Sequence, residues 1–156
     1  MTGLKKNNIA AIIIAVLLEI ASCTPEACFE ETVAKVKVPF YLSSTQKVKA
    51  PDNLTIYGLN KGTDKIYAGS KSVSRAEIPL NPSTDSCGFV LIINGVSDTI
   101  MVVYDSYPHL ISVECGYTYY HTISRPPSYT KNIIDNIIIT NKFVTTGDEE
   151  NFRILY

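Results

Sequence analysis

From residue 33 onward, apolar and polar side chains alternate along the chain. Val36, Val38 and Phe40 fall on one side of an extended backbone, and Lys35, Lys37 and Tyr41 on the other. A period of two predicts a half-buried strand. Residues 43–53 form a polar loop with Pro51-Asp52-Asn53 as its turn signal, and residues 54–59 predict the next strand. A turn at 60–64 leads into a strand at 65–68. Residues 73–80 carry a weaker pattern that Asn81-Pro82 ends.

The middle of the chain is the most regular. Residues 88–93 are an apolar run of strand length, which predicts burial on both faces. Asn94-Gly95 is a strong hairpin signal, and after Val96-Ser97-Asp98 the chain returns over residues 99–104. Residues 110–114 and 117–123 predict a further strand pair, broken at Gly116. Arg125-Pro126-Pro127 predicts a loop, because consecutive prolines remove ladder donors. Ile133-Ile134 and residues 137–139 flank Asp135-Asn136, as in a bulged or interrupted strand. Residues 152–156 predict a last strand. Eight or nine short strands without an amphipathic helix predict an all-β fold, an antiparallel β-sandwich of immunoglobulin-like type. A closed barrel is the alternative.

The first two dozen residues follow a different pattern. Lys5 and Lys6 precede an apolar run over residues 9–18, and then comes Glu19-Ile20-Ala21-Ser22-Cys23. A basic start, a short apolar stretch and small residues before a cut site make a secretory signal. The run is shorter than the roughly 20 residues a spanning helix needs. Ile20-Ala21-Ser22-Cys23 resembles the lipobox of bacterial lipoproteins. That resemblance implies cleavage before Cys23, then a diacylglyceryl group and an amide-linked acyl chain (palmitate or similar) on Cys23. More than one chain gives stable anchoring. The alternatives are a plain cleaved signal and an uncleaved amphipathic anchor. Glu19 is costly in a membrane interior but stands at the interface end of the run. The expected organisation is a signal at 1–22, a lipidated Cys23 with a short tether to residue 31, and a β-sandwich domain at 32–156. Thr24 is not the aspartate associated with inner-membrane retention, so the outer membrane is the expected location.

Composition narrows the choices further. Cleavage before Cys23 leaves 134 of the 156 residues, the size of one domain with a real core. Without Lys5, Lys6 and Glu19, the 14 basic and 15 acidic residues become 12 and 14, a net charge near −2. No basic stripe is present to neutralise phosphates, which argues against nucleic acid as a partner. Ten tyrosines and no tryptophan suit an extracytoplasmic β domain. Cys28, Cys87 and Cys115 remain, an odd number that cannot all pair within the chain. Cys28 leads into the first strand and Cys115 closes a central one. A bridge between them would pin the membrane-proximal end to the core and leave Cys87 as a small buried thiol. Cys87 with Cys115 is the competing pair, and three reduced thiols the remaining alternative.

Several short stretches occur in an order that carries a resemblance. They are Cys28-Phe-Glu-Glu-Thr32 placed five residues after Cys23, Val36-Lys-Val-Pro-Phe-Tyr41, Leu54-Thr-Ile-Tyr-Gly58, Pro79-Leu-Asn-Pro82, Asn94-Gly-Val-Ser-Asp-Thr99 and Glu114-Cys-Gly116. Together they resemble a family of uncharacterised Bacteroides-type (Bacteroidota) envelope lipoproteins, over essentially the whole chain after the signal. The resemblance implies cysteines matching Cys28 and Cys115 and a polar residue where Cys87 stands here, in favour of the first pairing. It implies an envelope location and no assigned activity, with an outer-membrane barrel protein as a hint of a partner.

Candidate chemistry is sparse. His109 and His121 are the only histidines, and no nucleophile-elbow, Ser-x-x-Lys or His-Glu-x-x-His motif accompanies them. His109, Glu114, Cys115 and His121 have no zinc-site spacing. Asp148-Glu149-Glu150 lacks an EF-hand frame and reads as a solvated acidic turn. Asp85, Asp98, Asp105 and Asp148 stand near turns, where aspartate bonds its own backbone. Asn53-Leu54-Thr55 fits an N-glycan acceptor of little meaning in this setting. Asp98-Thr99-Ile100 resembles an O-glycosylation triplet of exported proteins in these bacteria, with Thr99 as acceptor; a polar turn entering a strand is the plainer reading. Tyr117, Tyr119 and His121 share one strand face, and Tyr120 points the other way. An exposed tyrosine row suits sugar stacking or a protein hot spot, while tyrosines on half-buried strands also serve the sheet itself. The expectation is a non-enzymatic envelope lipoprotein, without cofactor or metal, that binds or supports another envelope protein such as an outer-membrane barrel. A glycan-binding module is the alternative.

Overall fold

A computed structural model describes residues 28–156. Cys23, the signal at 1–22 and most of the tether lie outside the described residues. Among those described there is no helix, and eleven strands follow in order. They are β1 (Lys35–Tyr41), β2 (Leu54–Gly58), β3 (Lys65–Ser70), β4 (Arg75–Pro79), β5 (Ser86–Ile93), β6 (Val96–Ser112), β7 (Gly116–Ile123), β8 (Ser128–Tyr129), β9 (Asn136–Ile139), β10 (Phe143–Val144) and β11 (Phe152–Leu155). The count exceeds eight or nine because β8 and β10 are two-residue pieces with no pattern of their own to read.

Two sheets pack face to face. One has the order β4-β1-β11-β9; the other runs β10-β7-β6-β5-β2-β3, with β8 added beside β6. Every pairing is antiparallel except β1 with β11, which run parallel. Val36, Ile78 and Phe152 of the smaller sheet meet Phe89, Leu91, Ile100 and Val102 of the larger one around a small apolar void. Val38, Phe40, Leu54, Ile56, Ile93, Tyr104, Ile123 and Ile154 belong to the same core. Burial of that many branched and aromatic side chains is the main favourable term in folding.

Several expectations change. The apolar run at 88–93 is buried on one face only: Phe89, Leu91 and Ile93 point into the core, while Val90 and Ile92 are half-buried on the outer surface. Its sheet is covered on one side, so the period of two reasserts itself. Lys37 is buried instead of facing water, because β1 is an interior strand and the 145–151 segment crosses its outer face. The Lys37 backbone N–H donates to Asn151 Oδ1 (2.8 Å), and its ammonium approaches the Thr145 carbonyl (3.5 Å). Finally, Ile133 and Ile134 belong to a loop, and only Asn136–Ile139 forms a strand.

β6 is the longest element, 17 residues continuous where two separate strands are expected. Residues 96–103 pair with β5 and residues 104–112 with β7. Pro108 sits within the second half. Past Val103 the strand has a partner on only one edge, so a residue without an N–H is tolerated there. The β6–β7 pair therefore runs on beyond the sandwich as a hairpin. Its turn closes at Gly116, whose φ of 73° is costly for any residue with a Cβ.

Candidate functional site

The far end of the β6–β7 hairpin gathers the tyrosine row and the disulfide. Register places Tyr117 opposite Leu110, Tyr119 opposite Pro108, His121 opposite Ser106 and Ile123 opposite Tyr104, all on one face. At Ile123 and Tyr104 that face lies in the core. Moving toward the turn it leaves the cover of the second sheet, so Tyr119 is 48% and Tyr117 75% exposed. The expected patch of three is thus a patch of two. His121 is only 2% exposed and does not belong to a surface site. The alternation assigned its side correctly, yet that side passes beneath the smaller sheet before it reaches residue 121.

Cys28 and Cys115 are joined, their Cα atoms 4.8 Å apart, which ties the segment entering β1 to the hairpin turn. The Thr118 hydroxyl adds a second attachment by donating to the Thr32 carbonyl (2.6 Å). Phe29 (90% exposed) and Val33 on that segment, and Leu110 and Val113 (88%) on the hairpin, are thus exposed in the same two tied pieces of chain as the two tyrosines. Cross-strand register sets Leu110 beside Tyr117, and the disulfide brings in residues 28–33; the signals in the sequence are the shared face of 117 and 119 and the expected pairing of Cys28 with Cys115. On the opposite face of the hairpin, the Tyr107 and Tyr120 rings meet edge to face at 6.3 Å. His109 stacks on Tyr120 at 4.1 Å, exposed and separate from His121.

His121 sits against Tyr104, ring centroids 5.3 Å apart and nearly perpendicular. Its Nδ1 shares a hydrogen bond with Ser106 Oγ at 2.8 Å. Burial pushes the imidazole pKa below its ordinary value, which keeps the ring neutral at pH 7. A serine beside a histidine invites a nucleophile reading. A triad also needs a third group that orients the base, and no carboxylate hydrogen-bonds to His121 among the described residues. The pair is better explained as a buried polar group finding its partner across the strand.

Cys87 is half-buried, not enclosed, and its sulfur lies 2.9 Å from the Tyr104 hydroxyl. That hydroxyl also donates to the Asn81 carbonyl (2.8 Å), accepts from the Asn81 N–H (3.1 Å) and meets Thr84 Oγ (3.1 Å). Burial is the largest cause that raises the Tyr104 phenol to about 12, followed by the bond to Cys87. The hydroxyl anchors the loop between β4 and β5.

Asp98 is almost fully buried, and it serves a distant loop instead of its own turn. Its carboxylate accepts from the Thr130 hydroxyl and from the backbone N–H groups of Asn132, Ile133 and Ile134. Burial alone would raise its pKa; the hydrogen bonds from Thr130, Ile133, Asn132 and Ile134 outweigh that and hold it below the ordinary value. Thr99 is half-buried in the same strand, with its N–H bonded to Thr130 Oγ1 (2.9 Å). The aspartate of the glycosylation-like triplet is therefore occupied in holding the 130–134 loop. In the acidic turn, Asp148 pairs with Arg75 (2.7 Å) and Glu150 with Arg153 (2.8 Å), so two of the three carboxylates already face a guanidinium. No group of three metal-ligating side chains comes together among the described residues.

Residues 53–156 match a family of unknown function (DUF6452), a stretch that runs from just before β2 to the end of β11. No curated protein and no solved structure matches the chain.

Proposed function

This chain belongs to that family of unknown function, and we propose that it is a non-enzymatic lipoprotein of the Bacteroidota type. In this reading Cys23 carries the acyl chains, the outer membrane holds them, and the β-sandwich, read as immunoglobulin-like, binds or supports another envelope protein such as an outer-membrane barrel. The observation that supports it most is the bond between Cys28 and Cys115. A structural disulfide suits an exported protein, and this one stands five residues after Cys23. It ties the segment next to the anchor to the longest hairpin of the body, so the sandwich would be held close to the membrane. A bearing surface for a neighbouring protein benefits from such fixed placement.

Chemical crosslinking on intact cells followed by affinity capture tests the partner. The expected result is repeated recovery of one barrel protein, lost when Cys23 is replaced by Ala. Recovery of the same background with and without Cys23 would contradict it.

A glycan-binding module is the second reading, favoured by the exposure of Tyr117 and Tyr119 on one face. It predicts polysaccharide binding that falls at least about tenfold in Tyr117→Ala, the scale of losing one buried aromatic contact. Absence of binding to any polysaccharide would remove it.

A further inference from the structure

We propose that the tip of the β6–β7 hairpin, with residues 28–33 cross-linked to it, is a membrane-contact surface that lies in the lipid headgroup layer. The inference rests on the lipid-anchor reading of Cys23 and adds to it a second point of contact, which fixes how the body stands on the bilayer.

The exposed large hydrophobic side chains are unevenly distributed. Of twelve such residues among those described, seven lie in the two segments that the disulfide joins: Phe29 and Val33 on one, Tyr107, Leu110, Val113, Tyr117 and Tyr119 on the other. Soluble surfaces seldom collect apolar side chains in this way without something to cover them. Distance says what that is. Five residues separate Cys23 from Cys28, and an extended chain spans at most about 3.6 Å per residue, or roughly 18 Å. A bilayer holding lipid on Cys23 is therefore within reach of the hairpin turn, since Cys28 and Cys115 are bonded. Tyrosines suit the boundary layer because the ring is apolar and the hydroxyl stays wet.

Charge decides the mode of contact. Residues 28–34 and 105–121 contain no Lys or Arg, and they carry Glu30, Glu31, Asp105 and Glu114. Attraction to anionic headgroups cannot hold this surface, so the contact is apolar and aromatic and does not weaken with salt.

The chain has no tryptophan, so single substitutions report on one place each. Val113→Trp and Tyr117→Trp mark the tip. Val96→Trp marks the opposite end of the same 17-residue strand. The full chain, purified from membranes, is reconstituted into vesicles containing phosphatidylcholine brominated near the glycerol end of its acyl chains. Intact mass and vesicle flotation are read on the same samples. The expected result is at least about twofold stronger quenching at 113 and 117 than at 96, unchanged by added salt, as for residues at a membrane interface. Acylated, floating protein with equal quenching at all three positions overturns the contact surface and leaves the lipoprotein reading standing. Protein that is neither acylated nor retained by vesicles overturns both. Quenching at the tip without acylation keeps the contact surface and removes the lipid on Cys23. Protection of the Tyr117→Trp reporter by a polysaccharide, without quenching by lipid, gives the tip to the glycan and overturns the proposal.

Discussion

Replacing Asp98 with Ala would strand four donors, the Thr130 hydroxyl and the N–H groups of Asn132, Ile133 and Ile134. Ile134 is itself buried, so its N–H has little water to turn to. The loss should be about 3 kcal/mol in urea unfolding, larger than a neutral hydrogen bond gives, because the acceptor is charged. An unchanged midpoint would contradict the role assigned to this carboxylate. Titration adds a signature with a definite sign. The folded-state pKa of Asp98 is depressed, so its stabilisation is present above the unfolded value near 3.9 and is lost as pH falls through the lower folded value. His121 is depressed by burial, and the unfolded chain takes up a proton that the folded chain resists. Stability therefore declines as pH drops below about 6.5, the unfolded value. His121→Gln should flatten that part of the thermal-midpoint profile, and a profile parallel to the wild type would show that another group is responsible. Neither role could be read from the sequence. Asp98 and the 130–134 loop are more than thirty residues apart, and the face of His121 was legible without the sheet that covers it.

At the scale of elements, the sequence carried more. Asn94 and Gly95 both adopt positive φ, 51° and 88°, and make the two-residue turn that their dipeptide predicts. Gly95→Ala should cost about 1 kcal/mol, since an L side chain is strained in that region. A neutral Gly95→Ala would mean the turn can rearrange. β6 was hidden because residues 105–109 are polar and contain Pro108. Strand formation there comes from pairing with β7, not from local pattern. The Cys28 to Cys115 link closes a separation of 87 residues, for which the chain-entropy model gives about 4–5 kcal/mol. Residues 28–33 are exposed and outside any strand, so the folded state regains freedom when the bond is cut. Cys115→Ser should therefore lower stability by less than that figure, with the sandwich still folded by circular dichroism. Collapse of the β signal in Cys115→Ser would show that the bridge holds the core itself.

On the scale of the whole molecule, two sheets enclose one core, the surface is mildly acidic, and exposed apolar side chains collect at the end tied to the N-terminal tether. The all-β class and the approximate strand positions follow from alternation and turn chemistry. The division of strands between the two sheets, and the parallel pairing of β1 with β11, depend on contacts far apart in sequence. The central claim is that acyl chains on Cys23 hold this body on a membrane. Cells are fed radiolabelled palmitate while expressing either the full chain or its Cys23→Ala variant, and label in the purified protein is counted. The account predicts incorporation into the first and none into the second; equal label in both, or in neither, would contradict it.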